Sequence, residues 1–362
     1  MRDCTTRITY GALALRPGGS GVQTYIRELL RVLPAQLGDT PLAAVVQEDA
    51  TGELPASITP LRRPVTDGVR RAIHGVLPTR RGGVFHGLDV DLPVAGPTTT
   101  MATVHDLSVL DMPSASSRFR AAGESVLVRT TLRRADVLIA VSEFTAERIH
   151  DVCGRDAHVT ELAPADWARP PAAADIDRVR TKYELPERFI LQIGTVEPRK
   201  NVALVAAAAR RLDIACVLGG AGSTGPDAPS SAIGLGYVDA EDLPGLYAAA
   251  TVTAYASFYE GYGLPPVEAM ACGGAVVASA VGALPQVVGD GAVLVGRHDE
   301  DDWVRALEPL VRDPETRRAL VEAGTRVGAS LSWDTTARRT VEAYRAAGLD
   351  LPAPAPPSGA SP

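Results

Sequence analysis

Two tandem domains, each an open parallel sheet covered by helices, are predicted by three features of the 362-residue sequence. Short runs of branched apolar residues alternate with helix-patterned segments. That alternation breaks once, near the middle, in a stretch rich in proline and alanine. The length also exceeds the roughly 100–200 residues of one common domain. Strands are predicted at 8–15, 83–86, 99–104, 137–141 and 158–162, then at 189–193, 214–218, 233–237, 252–256, 275–278 and 292–295. Val22, Tyr25, Ile26, Leu29, Leu30 and Leu33 fall on one face of a helix. The break, APADWARPPAAAD from Ala163, has no periodicity and reads as a linker. The domain bounds drawn from these features are 1–165, a linker over 166–186, 187–350, and a tail over 351–362. Helices at 301–312, 314–330 and 333–347 close the pattern, with Ser332 placed to cap the last. The tail, ending PAPAPPSGASP, is expected to be disordered.

Composition narrows the function. A net charge of −7 and a pI near 5.5 argue against a nucleic-acid binder, which needs a basic surplus to neutralise phosphates. The first ten residues lack the apolar core of a secretion signal, and no apolar run approaches the ~18–20 residues that cross a bilayer, so a cytoplasmic location is expected. Cys4, Cys153, Cys216 and Cys272 form no C-x-x-C pair, which points away from a zinc site or a disulfide framework. The segment 61–83 holds six arginines and one aspartate and reads as a solvated helix-loop segment, with an anionic acceptor or the inner membrane face as the competing partner.

The chemistry concentrates in two segments. SFYEGYGLPPVEAMACGG, from Ser257 to Gly274, follows a strand and enters a helix whose start is marked by Pro265 and Pro266. Free amides near Gly263 and Leu264 would seat a diphosphate, and Gly261 and Gly263 let the chain approach it closely. Glu260 and Glu268, with seven residues between them, suit hydroxyl groups on either side of the diphosphate. Alternatively, Glu268 complements the helix dipole from the first turn and Glu260 is a solvated loop residue. In the second segment, GTVEPRKN from Gly194, Arg199 and Lys200 precede a helix with Asn201 as its N-cap. Two cations there would hold an anion and offset the charge of a departing leaving group, unless they form only an exposed basic pair.

GTVEPRKN, EGYGLPPVEAMACGG and SAVGALPQVVGDGAVLV, in this order, resemble the retaining nucleotide-sugar glycosyltransferases of family 4. GGSG at Gly18–Gly21, His105-Asp106 in ATVHDLS and AVSEFTAERI from Ala140 extend the resemblance over nearly the whole chain. It implies the GT-B fold: two Rossmann-like domains whose parallel sheets face across a cleft, the first binding acceptor and the second the nucleotide sugar, with the C-terminal helix returning to the N-terminal domain. It also implies that Arg199 and Lys200 hold the donor diphosphate, Glu260 the transferred sugar and Glu268 the ribose. His105 would lie near the reacting carbon, and the backbone at Tyr237 and Val238 at the base. Two positions depart from the pattern: Gln286 stands where many relatives have glutamate, and Gly296-Arg297 where an acidic residue is common.

Other signals compete. Gly220–Gly225 fits G-x-G-x-x-G, but PDAPSS follows where a dinucleotide site needs a helix. His105 ends an apolar run and is either a structural histidine or a sugar-hydroxyl partner. Gly19 and Gly21 belong either to an ordinary strand-helix turn or to a loop that admits an acceptor or phosphate oxygen. The expected activity is sugar transfer from a nucleotide diphosphate sugar to a small-molecule, lipid-linked or glycan hydroxyl, with retention and without a metal or other cofactor. It would serve cell-envelope glycan or secondary-metabolite biosynthesis in a bacterium. A sugar phosphorylase or epimerase of the same fold, or a non-catalytic nucleotide-sugar-binding subunit, are the alternatives.

Overall fold

In the computed structural model, residues 7–19, 21–79, 81–112 and 118–351 are described; Cys4, Ser20, Arg80 and the tail beyond Leu351 lie outside them. Among the described residues, those up to Asp111, 118–162 and those from Trp333 onward form one unit, and 163–332 with Met112 the other.

The first unit holds a seven-stranded, wholly parallel sheet: β1 (Ile8–Gly11), β2 (Leu42–Gln47), β3 (Ile58–Arg63), β4 (Val84–Gly87), β5 (Thr99–Val104), β6 (Val137–Ala140) and β7 (His158–Val159). Its order is β3-β2-β1-β4-β5-β6-β7. Chain order reverses between β1 and β4, so a crevice forms beyond their carboxyl ends. Helices α1 (Gly21–Leu37), α2 (Gly68–Val76), α3 (Ser108–Asp111), α4 (Arg118–Arg134) and α5 (Glu143–Cys153) connect the strands. Tyr25, Ile26, Leu29, Leu30 and Leu33 of α1 are buried on the face that the helical spacing predicts. β2 and β3 were not expected. LAAVVQ is apolar except for Gln47 and buried at every position, a pattern shared by buried helices. β3 contains Pro60, which a strand tolerates only where a ladder donor can be missing; β3 is the sheet edge. The arginine-rich segment is thus part strand, with Arg62 and Arg63 in β3, and part helix, with Arg70 and Arg71 in α2. β1 also stops at Gly11 instead of reaching residue 15, and β7 at Val159.

The second unit begins with α6 (Ala173–Lys182), inside the stretch read as linker. Only Val179 of α6 is buried, too few apolar positions for a sequence period to reveal. The sheet that follows contains β8 (Phe189–Ile193), β9 (Ala215–Gly219), β10 (Ala232–Gly234), β11 (Val252–Tyr255), β12 (Val276–Ser279) and β13 (Ala292–Val295). All pairings are parallel, in the order β10-β9-β8-β11-β12-β13, and the reversal falls between β8 and β11. Helices α7 (Val202–Arg211), α8 (Leu243–Ala249), α9 (Leu264–Ala271), α10 (Leu284–Val288), α11 (Glu300–Arg312) and α12 (Pro314–Ser330) cover it. Asp299 and Asp313 cap α11 and α12 by accepting from Asp302 and Glu315 amides. Ile190, Val205, Leu218, Ala254, Val277, Trp303 and Leu307 meet in its core.

The last helix, α13 (Trp333–Ala346), belongs to the first unit. It buries Trp333, Ala337, Val341 and Tyr344, and Thr336 Oγ1 donates to the Glu161 carbonyl. The units therefore do not coincide with bounds drawn along the sequence, because 163–186 packs with the second unit and 333–351 with the first.

Candidate functional site

The switch point of the second sheet brings together residues from two loops. After β8, Gly194 donates to the Gly219 carbonyl and Val196 to that of Ala221, and Pro198–Lys200 forms one tight turn before α7. Asn201 does not cap α7 through its side chain, as the sequence suggested; it takes a left-handed conformation (φ 47°) that lets the chain turn into the helix. After β11, the Phe258 amide donates to the Arg199 carbonyl at 2.9 Å, tying the two loops.

Glu260 is the centre of this arrangement. Lys200 Nζ lies 2.6 Å from Glu260 Oε1, Ser257 Oγ donates to the same oxygen at 2.6 Å, and an Arg199 nitrogen stands 3.5 Å from Oε2. Arg199 also donates to the Tyr259 carbonyl at 2.9 Å and to Glu197 at 2.7 Å, so its guanidinium is held on three sides. Glu260 is 8% exposed. Burial pushes its carboxyl up, but Lys200, Arg199 and the Lys200 and Ser257 hydrogen bonds outweigh burial, and the net shift is downward. A carboxylate held ionised between two cations keeps the site near neutrality until another anion arrives.

Backbone geometry places Glu260 as firmly as its side-chain partners do. Its carbonyl accepts the Ala283 amide at 3.0 Å, and a Cβ at Gly282 (φ 56°) would stand 2.2 Å from that oxygen. Gly263 enters α9 at φ 106°, where a Cβ would meet Leu284 Cδ2 at 2.4 Å. Pro265 and Pro266 carry no N–H, so the first turn of α9 presents few amides, those of Gly263 and Leu264 foremost. Glu268 is the fifth residue of α9, not in its first turn, and is 6% exposed. Burial raises the Tyr255 phenol first of all, and the charges of Glu268 and Glu260 add to it. Gly220 donates to the Gly236 carbonyl, Val238 is buried over Gly219, and Tyr237 beyond β10 is exposed. Turns, not a helix, follow Gly220, so the glycine pattern there is not a dinucleotide motif.

Sequence reasoning missed His298. Its Nε2–H is shared between the Ser257 carbonyl at 2.9 Å and Ser279 Oγ at 3.0 Å, and its ring lies 4.5 Å from that of Phe258. It braces the loop that carries Glu260. A histidine 38 residues downstream, at a position where only the Gly296-Arg297 departure was noticed, left no periodic signal.

The remaining candidates belong to the first unit. His105 follows β5; its Nε2–H donates to the Leu88 carbonyl at 2.9 Å, so Nδ1 is the ring nitrogen left to face other groups. Its ring meets Tyr25 edge-on at 4.7 Å. Beneath, Tyr25 OH bonds Thr103 Oγ1 at 2.8 Å, Thr103 Oγ1 bonds His86 Nε2 at 2.8 Å, and His86 Nδ1 bonds Tyr344 OH at 2.7 Å. Burial, with a smaller contribution from His105, drives the His86 imidazole down to about 3. Gly19 is exposed with open space around its Cα, and Gly21 is the first residue of α1. Arg27 donates to the Gly18 and Arg16 carbonyls and holds this loop. Among the described residues no cluster of three or more His, Cys, Asp or Glu side chains could hold a metal, and no helix is long and apolar enough to cross a membrane.

Two open parallel sheets, each with its crevice at a reversal of strand order, and a cation pair set against a carboxylate agree with the class that the comparisons show, a glycosyltransferase of the GT-B fold. Residues 175–327 match the model of the glycosyl transferases group 1 family. The O-antigen chain mannosyltransferase B of Escherichia coli is 31% identical over 282 residues, 72% of this chain and 74% of that protein. The D-inositol 3-phosphate glycosyltransferase of Salinispora arenicola is 33% identical over 287 residues, covering 70% and 63%. The chain belongs to the group 1 glycosyl transferases and is an enzyme of that kind. Among solved structures, sucrose-phosphate synthase from Thermosynechococcus elongatus superposes with a TM-score of 0.76 at 20% identity, over 95% of this chain and 99% of that one. The Anabaena HepE protein, solved with UDP and glucose, gives 0.70 at 16% identity, over 94% and 99%.

Proposed function

We propose that the enzyme transfers a sugar from a nucleoside diphosphate sugar to an acceptor hydroxyl with retention of configuration, without a metal. The observation that carries this reading is the Lys200–Glu260–Arg199 group at the switch point. With no donor bound, Glu260 is the counter-ion of both cations. A diphosphate brings more negative charge than one carboxylate and takes over Lys200 and Arg199, which then orient it and offset the charge on the departing nucleotide. The released Glu260 turns its acceptor oxygens to the hydroxyls of the transferred sugar, and Glu268 faces the ribose. The Gly261–Leu264 backbone closes on the phosphates, and Tyr237 and Val238 border the base. On the acceptor side, His105 offers Nδ1 to a sugar hydroxyl, while Gly19 and Gly21 admit an oxygen to the start of α1.

The named activities of the relatives and neighbours guide the choice of substrates. They include a mannosyltransferase and an inositol phosphate glycosyltransferase, and one neighbour was solved with UDP and glucose. None favours the phosphorylase, epimerase or non-catalytic readings. An envelope-glycan or secondary-metabolite pathway, and peripheral contact with the inner membrane face, belong to the same proposal. Calorimetry with UDP, GDP and ADP tests it: at least one should bind the native chain, and folded Lys200→Ala and Glu268→Ala variants should lose it. Undiminished affinity in Lys200→Ala would remove the diphosphate assignment, whereas loss of turnover with affinity kept in His105→Ala would support its place near the reacting carbon.

A further inference from the structure

The second unit carries a cavity of about 320 Å³ that no step above uses. Its volume falls at the small end of ligand sites, which begin near ~300 Å³. Trp167, Arg169 and Pro171 line it from the segment before α6, Asp175 from the first turn of α6, and Glu241 and Pro244 from the start of α8. None of these residues belongs to the proposed donor clamp.

The cavity is preformed. Asp242 is fully buried and gathers Arg178, Lys182 at 2.5 Å and Tyr183 OH at 2.8 Å, which locks α6 onto α8. Pro170 and Pro171 hold the backbone before α6 stiff.

Its chemistry selects a neutral, hydroxyl-rich guest. In its lining Arg169 stands against Asp175 and Glu241, while Arg178 and Lys182 behind it are held by Asp242, Arg178 lying also 3.9 Å from Asp175 and Lys182 3.5 Å from Asp239. An anion would face two carboxylates, and an organic cation would face Arg169. Trp167 is half-buried, and among the described residues its indole N–H has no hydrogen-bond partner. Indole and proline rings suit the C–H face of a pyranose, carboxylates accept from its hydroxyls, and Arg169 and the indole N–H donate to its oxygens. We propose that this cavity is a saccharide subsite for a neutral pyranose unit, separate from the donor site, by which a glycan chain is retained on the enzyme.

Tryptophan fluorescence reads the proposal directly, because Trp303 and Trp333 are 0% and 5% exposed and only Trp167 borders the cavity. Mannotriose and maltotriose, titrated without nucleotide, should give a saturable change for at least one, with a Kd on the order of 1 mM. The same titration should persist in Lys200→Ala, so failure of the donor assignment leaves this result intact. It should weaken by about tenfold or more in a D175N/E241Q double variant, which keeps the reporter. Saturation-transfer NMR should show the same loss in Trp167→Ala. A saturable response to inorganic phosphate or uridine in place of the saccharides overturns the proposal. So does no response to any probe, or unchanged saccharide affinity in the double variant.

Discussion

The two sheets share a strand order around the reversal, yet their crevices are built from opposite chemistry. In the second unit, charges meet: Lys200 and Arg199 from the loop after β8 close on Glu260 from the loop after β11. In the first unit, a neutral chain of hydroxyls and imidazole runs from Tyr344 through His86 and Thr103 to Tyr25, under the ring of His105. The same topology thus supplies two crevices, and side-chain polarity decides what each can take. A pair of cations balanced by one carboxylate is poised to exchange that carboxylate for a stronger anion. A buried neutral network has no charge to exchange; it holds one surface histidine in place and joins α13 to the sheet.

Substitutions separate the two crevices. The largest effect is expected for Lys200→Ala, which should weaken nucleoside diphosphate binding by about 10²–10³-fold, as loss of one partner from a buried charged contact costs ~2–5 kcal/mol. Calorimetry on the folded variant measures it, and a loss under about threefold would contradict the contrast between the units. Tyr344→Phe attacks the neutral chain and leaves His86 Nδ1 without a partner, so urea unfolding should show a loss of about 1–3 kcal/mol with nucleotide affinity unchanged.

A pH series sharpens the comparison. Burial holds the His86 imidazole in the fold down to about 3, below its ordinary value of ~6.5, so the unfolded chain binds the extra proton between these values. Stability from keeping His86 neutral is therefore full above pH ~6.5 and falls as pH drops towards 3, by up to about 1.4 kcal/mol per pH unit. Unfolding curves at pH 7 and 5 should show this dependence in the native chain and a shallower one in His86→Gln. Glu260 acts in the same direction but lower, since its ionised form is favoured in the fold and its contribution disappears only as pH falls below the carboxylate range. The smallest effect is that of Glu260→Gln on binding. By removing the competitor for Lys200 it should tighten nucleoside diphosphate affinity a few-fold, about 1 kcal/mol or less, while turnover falls; weaker binding would mean that Glu260 supports the cations instead of competing with the ligand.

The positions of Arg199, Lys200, Glu260 and Gly263 beside strand ends and helix starts were legible because such offsets survive in a linear pattern, whereas Glu268 lies deeper in α9 than the expected first turn. The α/β alternation was legible for the same reason, since strands and helices carry different periods. β2 escaped because a strand buried on both faces has no alternation, and β3 because Pro60 disguises an edge strand. α6 escaped because a helix that buries one residue has almost no period.

What the sequence determined by itself is therefore local: the elements with a clear period and many of the residues that end them. Tertiary structure alone decided that Glu260 is the counter-ion of two cations about 60 residues away, that His298 braces its loop, and that Tyr344 and His86 fasten α13, whose return to the first unit the family resemblance implied. The physical reason is that these contacts join segments distant in the chain. Distance between two side chains then depends on strand order and helix packing, quantities that no spacing along one segment encodes.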